Sequence, residues 1–173
     1  MTITNSNITG TNYAIYDYGT NESTITGSTL SSTSTALYNY STGKYNVNET
    51  DITGSINNTK TNGRITIIGD STNKNTSTGT ISNAGNMTIK YMKANYTSAS
   101  SDQDQMITNS GTLNVENSNI TYENTYNGTS SAQYNTEGSF IVRNTGTINS
   151  TSSNYKIFND NQKLTKHLSG ISN

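Results

Sequence analysis

The sequence feature that most constrains the fold is a short unit that returns along the chain. An apolar residue is followed two residues later by Asn or Asp and, in the clearest copies, by Gly two residues after that, as in Ile-Thr-Asn-Ser-Gly at 107–111. The Asn or Asp positions are Asp17, Asn39, Asn58 (a weak copy), Asn83, Asn109 and Asn144, at steps of 22, 19, 25, 26 and 35 residues. Repeats of roughly 20–50 residues are typical of solenoids and other stacked arrays.

Other short apolar segments lie between these units and are predicted to be strands. Alternating apolar residues follow the marker at Ile65 and Ile67, at Met87 and Ile89, at Leu113 and Val115, and at Ile148. An Ile-Thr pair, often followed by Gly, begins at Ile8, Ile25, Ile52 and Ile120. Because Asn, Gly and Ser turn residues separate these pieces, each period holds about three short strands.

Two all-β architectures are compatible with such strands. They could stack as parallel coils, or pair as an antiparallel sandwich in which Asn62-Gly63 and Asn127-Gly128 form two-residue hairpin turns. The return of one turn per period favours coils, and we predict an all-β parallel β-helix, a solenoid of about six coils, over residues 1–159. Residues 160–173 are predicted to form a tail or a short capping helix, with Asp160 as N-cap and Gly170 as stop.

Stacking of parallel coils at about 4.8 Å places equivalent side chains in rows. At one turn, side chains are predicted to form a hydrogen-bonded structural ladder from coil to coil, made by Asp17, Asn39, Asn83, Asn109 and Asn144. The Gly that follows would supply the positive φ that the bend needs. On the outer surface, Tyr16 is expected to stack on Tyr38, and Tyr18 on Tyr40.

The longer intervals between copies are predicted to hold loops that leave the stack, at 91–105 and 123–138. Loops on a rigid scaffold are frequent sites of binding. Their aromatic and acidic side chains are the candidate glycan contacts, namely Tyr91, Tyr96, Asp102, Asp104, Tyr122, Tyr126 and Tyr134.

Composition narrows the classes of function. A net charge of -1 with ten basic residues argues against nucleic acid as a partner. There is no cysteine, and therefore neither a disulfide framework nor a thiolate metal site. No apolar run approaches the roughly 18–20 residues of a membrane span, and no signal peptide is visible. Because the first ten residues already read as the middle of a repeat, we expect neighbouring coils of a longer parent chain.

The segments 36–43 (Ala-Leu-Tyr-Asn-Tyr-Ser-Thr-Gly), 52–54 (Ile-Thr-Gly) and 107–121 resemble repeats of autotransporter passengers and adhesin-like proteins. These are bacterial surface proteins of the right-handed parallel β-helix, or pectin-lyase-like, kind. The resemblance implies a right-handed winding and a cell-surface or extracellular location, and it implies no active site. Because the sequence has no metal-ligand cluster, phosphate-binding loop or dinucleotide fingerprint, we expect no metal or cofactor. We therefore expect a non-enzymatic adhesin or stalk segment that contacts glycans or a host surface.

The rival hypothesis is a fragment of a carbohydrate-active enzyme, because the same fold hosts polysaccharide lyases and glycosidases. Such enzymes need clustered carboxylates, for which the nearest pairs are Asp102 with Asp104 and Glu49 with Asp51. The one histidine, His167, lies in the predicted tail, which argues against a nucleophile–base arrangement. Ice binding would need a flat threonine face, but the threonine pairs at 24 and 26, 78 and 80, and 145 and 147 differ in register.

Overall fold

The computed structural model describes residues 1–71, 75–98, 105–124, 140–159 and 171–172. Over these residues the chain is all-β, and its parallel strands stack as a β-solenoid without a helix. The predicted fold class is thereby confirmed, and the coil number is roughly as predicted. The right-handed winding implied by the resemblance stays a prediction. No helix in the described residues is long and apolar enough to cross a membrane.

Each coil begins with a strand of the first side, which is a parallel sheet of eight strands over the described residues. These strands are β1 (Thr2–Thr4), β4 (Ser23–Thr26), β6 (Lys44–Asn48), β8 (Arg64–Ile68), β11 (Asn86–Lys90), β14 (Thr112–Glu116), β17 (Thr147–Thr151) and β19 (Ile171–Ser172). Every neighbouring pair is parallel, which excludes the antiparallel sandwich for this part of the chain.

The second and third sides join in one parallel sheet of 11 strands. The second side contains β2 (Asn7–Gly10), β9 (Asn75–Thr78), β12 (Met92–Ser98), β15 (Asn119–Asn124) and β18 (Asn154–Asn159). The third side contains β3 (Tyr13–Asp17), β10 (Ile81–Asn83), β13 (Gln105–Asn109) and β16 (Phe140–Asn144). Two long strands, β5 (Thr29–Asn39) and β7 (Asp51–Asn58), contribute to both sides, so that some coils have two strands where three are predicted.

The core consists of rows of apolar, mostly aliphatic side chains that run along the solenoid. On the first side, Tyr45, Ile65, Met87, Leu113 and Ile148 follow one another in register and are all buried. A third-side row is formed by Leu37, Ile56, Ile81 and Ile107. Only the inward-pointing alternate residues of each strand need to be apolar. Because the coils stack, a few such side chains per coil form a continuous core.

At the corner after each first-side strand, most coils contain a residue with positive φ. These residues are Asn5, Gly27, Glu49, Tyr91, Asn117 and Ser152, with φ between 47° for Glu49 and 59° for Gly27. A hydroxyl residue follows in most coils; Ser118 Oγ donates to the carbonyl of Glu116 at 2.8 Å and accepts from the N–H of Met92 at 3.1 Å. Such bonds satisfy backbone groups that the bend leaves unpaired and help to offset the cost of the left-handed conformation.

The structure differs from the prediction at both predicted loops. Met92–Ser98 is strand β12, paired in parallel with β9 and β15, because its inward Met92 and Ala94 alternate with outward Lys93 and Asn95 as in any half-buried strand. The second loop begins too early in the prediction, since 123–124 belongs to β15. The remaining loop positions, 99–104 and 125–138, lie outside the described residues.

Three further features of the sequence can be located in the structure, in whole or in part. The Ile-Thr-Gly copies do not form one row, because Ile25 lies on the first side whereas Ile8 and Ile52 lie on the second. Asn62-Gly63 connects β7 of the 11-stranded sheet to β8 of the eight-stranded sheet and is not a hairpin turn, while Asn127-Gly128 lies outside the described residues. Most of the predicted tail also lies outside them, although Ile171 pairs with Ile148 of β17.

Candidate functional site

A column of side-chain amides runs along the corner after the third side. Asn39 Nδ2 donates to Asn58 Oδ1 at 2.9 Å, and Asn58 Nδ2 donates to Asn83 Oδ1 at 2.8 Å. Asn83 Nδ2 donates in the same way to Asn109 Oδ1, and Asn109 Nδ2 to Asn144 Oδ1, both at 2.7 Å. These five asparagines form the amide ladder, and the first four are buried.

Each ladder amide also closes its own turn. Asn83 Nδ2 donates to the carbonyls of Gly85 and Thr112, each at 3.0 Å, while Asn83 Oδ1 accepts from the N–H of Gly85 at 3.2 Å. Both ends of the buried amide are therefore paired, as buried polar groups require. This complete pairing assigns the ladder to the framework of the solenoid and not to ligand binding.

Asp17 lies in register with Asn39, but it does not continue the amide ladder. Its Oδ1 accepts from the N–H of Gly19 at 2.7 Å, so it forms the same turn as the asparagines. A carboxylate has no N–H to donate, and the chain of amide bonds therefore starts at Asn39. Asn58, which lacks the typical Gly two residues later, is nevertheless a full member of the ladder.

The prediction of positive φ at the glycines of this turn is wrong. The glycines with positive φ are Gly27, Gly54 and Gly79, and none of them follows a ladder residue. Glycine is instead required by close approach, because a Cβ at Gly111 would collide with the carbonyl oxygen of Gly85 in the coil before it. The same collision recurs between Gly146 and Gly111.

An open groove of about 720 Å³ lies at the corner between the second and third sides. At this corner β7 bends at Gly54 and β9 ends just before Gly79, whereas β12 stays paired with β15 as far as Ser98. A Cβ at Gly79 would lie 2.5 Å from the carbonyl oxygen of Gly54, so the backbones of these two coils are in close contact. The volume lies within the range of roughly 300–1,000 Å³ that is typical of ligand sites.

The lining of the groove is polar and uncharged. It consists of Ser32, Thr33, Ser34, Thr53, Gly54, Ser55, Thr78, Gly79, Thr80, Asn95, Tyr96 and Thr97. Thr53, Thr78 and Asn95 lie in register on successive coils and are exposed. Ser55 Oγ lies 2.9 Å from Thr80 Oγ1, so one hydroxyl pair is already hydrogen-bonded.

Tyr96 supplies the one aromatic surface among the residues that line the groove. Its ring is half-buried and lies 5.7 Å, centroid to centroid, from the ring of Tyr122 in the next coil, with a tilt of 31°. Thr78 of the preceding coil is the register partner of Asn95, so the residue after it, Gly79, lies next to Tyr96. Tyr96 follows the inward positions of Met92 and Ala94 and packs against the core, and it is partly exposed where it lines the groove.

The other predicted glycan contacts lie elsewhere. Tyr122 is buried in the core, because its inward position on β15 follows that of Ile120, and its side chain is not available to a surface ligand. Tyr91 lies at the corner after the first side, where Lys90 Nζ is 5.3 Å from the centroid of its ring. The positions of Asp102, Asp104, Tyr126 and Tyr134 are outside the described residues.

Acidic residues in the described part of the chain have structural roles or are dispersed. Asp51 Oδ1 accepts from both the N–H of Thr76 at 2.9 Å and its Oγ1 at 2.7 Å, while Glu49 is exposed at a corner. No group of three or more His, Asp or Glu side chains that could hold a metal ion is present among the described residues. Asp51 thus ties two strands together.

The outer face of the third side carries the predicted tyrosine pairs. Tyr16 stacks on Tyr38 with a centroid distance of 4.9 Å, and Tyr18 stacks on Tyr40 at the same distance. Both predicted pairs are confirmed. Lys60 Nζ lies 3.7 Å above the Tyr40 ring, a cation–π contact that extends the second column by one coil.

One tyrosine has a very different environment. Tyr45 is fully buried, and its hydroxyl has no hydrogen-bond partner among the described residues, although Ser23 and Asp17 are close. Burial raises the pKa of Tyr45 well above its usual value, and the nearby Asp17 carboxylate adds to that effect.

Comparisons of the chain with protein-family models, with curated proteins and with solved structures find no match.

Proposed function

We propose that this chain is a non-enzymatic segment of a cell-surface adhesin or stalk, and that its groove contacts a glycan. The resemblance to adhesin-like repeats motivates the surface setting. The parallel solenoid provides a rigid support, because its coils are held by continuous backbone pairing and by the amide ladder.

The observation that carries the proposal is the chemistry of the groove. A saccharide presents hydroxyl groups together with apolar C–H faces. The groove lining contains the exposed hydroxyls of Thr53 and Thr78 together with the partly exposed side chain of Tyr96. The lining hydroxyls and the Asn95 amide can donate and accept hydrogen bonds with sugar hydroxyls, and Tyr96 offers apolar surface to a C–H face. The uncharged lining favours a neutral glycan, since none of the described residues that line the groove could pair with a carboxylate or sulfate.

The test is binding of the chain to a panel of neutral and acidic polysaccharides, measured by calorimetry. We expect Tyr96→Ala to weaken binding about two- to tenfold, which corresponds to the loss of an aromatic contact of about 0.5–1.5 kcal/mol. Tyr96→Phe keeps the ring and most of the affinity. Tyr91→Ala, which removes a tyrosine outside the groove, serves as the matched control and leaves affinity unchanged.

Two results would contradict the proposal. One is the absence of binding to every glycan, or binding that Tyr96→Ala leaves unaltered. The other is release of reducing or unsaturated sugar ends, lost in both Asp102→Ala and Asp104→Ala, which would establish the enzyme hypothesis instead.

A further inference from the structure

Five tyrosines form an exposed patch on the third side of the first two coils. In this tyrosine patch Tyr13, Tyr16 and Tyr18 are 43%, 50% and 69% exposed, while Tyr38 and Tyr40 are half-buried. The patch lies apart from the groove lining and has no part in the proposed glycan contact. Its tyrosines are thus accessible to reagents in solution.

The parallel register brings the phenol rings of the patch into close pairs. Tyr16 and Tyr38 are register partners, and their rings are inclined by only 5° at a centroid distance of 4.9 Å. Tyr18 and Tyr40 lie at the same distance with a tilt of 15°. Tyr13 lies beside the first pair, at 5.1 Å from Tyr16 and 5.3 Å from Tyr38, nearly perpendicular to both.

We propose that these two stacked pairs are modification sites at which one-electron oxidation joins neighbouring coils through dityrosine. The oxidant is of the class of hydrogen peroxide turned over by a haem peroxidase. Each of two phenols loses one electron and one proton, and the two phenoxyl radicals form a carbon–carbon bond between ring positions ortho to their hydroxyls. The hydrogen on each bonded carbon then moves to its oxygen, which restores both phenols. One peroxide takes up the two electrons and two protons and becomes two waters.

Accessibility and proximity both favour coupling at these pairs. The ring of exposed Tyr16 is already in contact with that of Tyr38 when a radical forms on it. The local concentration of the second phenol is therefore on the order of millimolar or more, as in short tethered systems. The Tyr96–Tyr122 pair is an internal comparison, because its rings are 5.7 Å apart and Tyr122 is buried. A phenol with an ordinary pKa of about 10 is neutral near neutral pH, and partial desolvation together with the neighbouring tyrosines raises the pKa of Tyr16 further.

The experiment treats the full chain at micromolar concentration with peroxide and a haem peroxidase, then isolates the monomer by size exclusion. Cleavage after Glu22 and Glu49 separates fragment 1–22 from fragment 23–49. We expect dityrosine fluorescence in the monomer and the two fragments joined, with the mass lowered by two hydrogen atoms for each link. Intramolecular links should exceed intermolecular ones by roughly tenfold or more, because the partner ring is preorganised.

Variants locate the link. The double variant Tyr38→Phe with Tyr40→Phe keeps the rings but removes both phenol partners from the second coil, and it should abolish joining of the fragments. Tyr45→Phe removes a buried tyrosine from the same fragment and should leave the yield unchanged. Unfolding the chain in urea before oxidation should lower the yield about tenfold or more, since the pairing is then lost.

The proposal is overturned if the folded chain gives no dityrosine, or if links appear only between molecules. An equal yield of joined fragments in the double variant, or in the unfolded chain, would overturn it as well.

Discussion

At the scale of single residues, the side-chain amide determines how the coils are joined at the corner after the third side. Asn58 shows why asparagine is suited to this position, because it accepts from Asn39 on one side and donates to Asn83 on the other. Its Nδ2 also donates to the carbonyl of Gly63 at 3.1 Å. Asp17 keeps the turn but has no donor, so a single change of side-chain chemistry ends the ladder.

The neighbouring residues Asn57 and Asn58 provide a matched pair of variants. Asn58→Ala leaves the buried Nδ2 of Asn39 without its partner and removes one of the two donors to Asn83 Oδ1, and we expect it to lower the free energy of unfolding by about 2–4 kcal/mol. Asn57→Ala, at a partly exposed outward position, should change it by about 0.5 kcal/mol or less. Urea titration of both variants measures the difference, and equal costs would contradict a role for the ladder in stability.

The variant Asn83→Asp tests the role of the Asn83 Nδ2 donor, because the introduced carboxyl can donate a hydrogen bond only when it is protonated. Burial at this position raises the pKa of the introduced carboxyl above its value in the unfolded chain, so its proton is retained in the folded state at acidic pH and can be donated to Asn109 Oδ1. Stability is therefore highest below the unfolded pKa and is lost as pH rises through the folded pKa. We expect a deficit of about 3–5 kcal/mol at neutral pH that shrinks on acidification.

Urea midpoints of Asn83→Asp and the unaltered chain, compared at acidic and neutral pH, measure this deficit. The unaltered amide does not titrate and supplies the baseline. A deficit that is independent of pH would show that the loss of the donor is not its cause.

Some of these residues are predictable from sequence and others are not. Asn83, Asn109 and Asn144 are identifiable because the same Asn-x-Gly turn returns with each. Asp17 is misassigned because Asp and Asn form the same turn and differ only in the hydrogen bond to the next coil. The corner with positive φ escapes detection because no residue type is common to it; Asn5, Glu49 and Tyr91 all occupy it.

At the scale of strands and turns, backbone contact between coils decides which residues fit. The glycines that follow the ladder residues are held between successive turns, where a carbonyl of one coil meets the Cα of the next. At Gly111 the neighbours are the carbonyl of Gly85 and the backbone of Ala84. At Gly19, the same position in the first coil, the nearest atom that a Cβ would meet is Asp17 Oδ1 at 3.1 Å.

This contrast predicts different outcomes for one substitution at equivalent sites. Gly111→Ala forces the backbone of two coils apart and should cost about 1–3 kcal/mol of unfolding free energy. Gly19→Ala meets one side-chain oxygen of its own turn, at 3.1 Å, and not the backbone of another coil, so it should cost about 0.5 kcal/mol or less. Thermal and urea unfolding of both variants test this, and a Gly19→Ala cost as large as that of Gly111→Ala would contradict the contact argument.

The groove could not be predicted at this scale from sequence. It exists because β12 extends beyond the corner at which β7 and β9 turn, and strand ends are poorly marked where Ser, Thr and Asn dominate both strands and turns. The segment 91–105 is predicted to be a loop for the same reason. Tyr96 is predicted as a glycan contact in that loop, whereas the structure places it on a strand and at the groove.

At the scale of the whole molecule, the low hydrophobic content of 28% is compatible with a continuous core because the rows are shared between coils. Ile65, for instance, lies between Tyr45 and Met87, and each of these residues is likewise covered along the solenoid. The period of the repeat made this organisation predictable. The interaction surfaces of the molecule were not predictable from the period, because they depend on where individual coils widen or carry tyrosine.

The central claim is that the chain is a parallel stack with one register, and the most direct measurement is disulfide formation in a chain that has no cysteine of its own. Thr66 and Thr88 are register partners on outward positions of neighbouring coils, at a spacing of about 4.8 Å that a disulfide can bridge. Thr66 and Lys90 are two residues out of register, about 8 Å apart, beyond the reach of a disulfide. The account predicts that Thr66→Cys with Thr88→Cys closes a disulfide in the folded chain, whereas Thr66→Cys with Lys90→Cys does not. Failure of the first pair to close, or equal closure of both pairs, would contradict it.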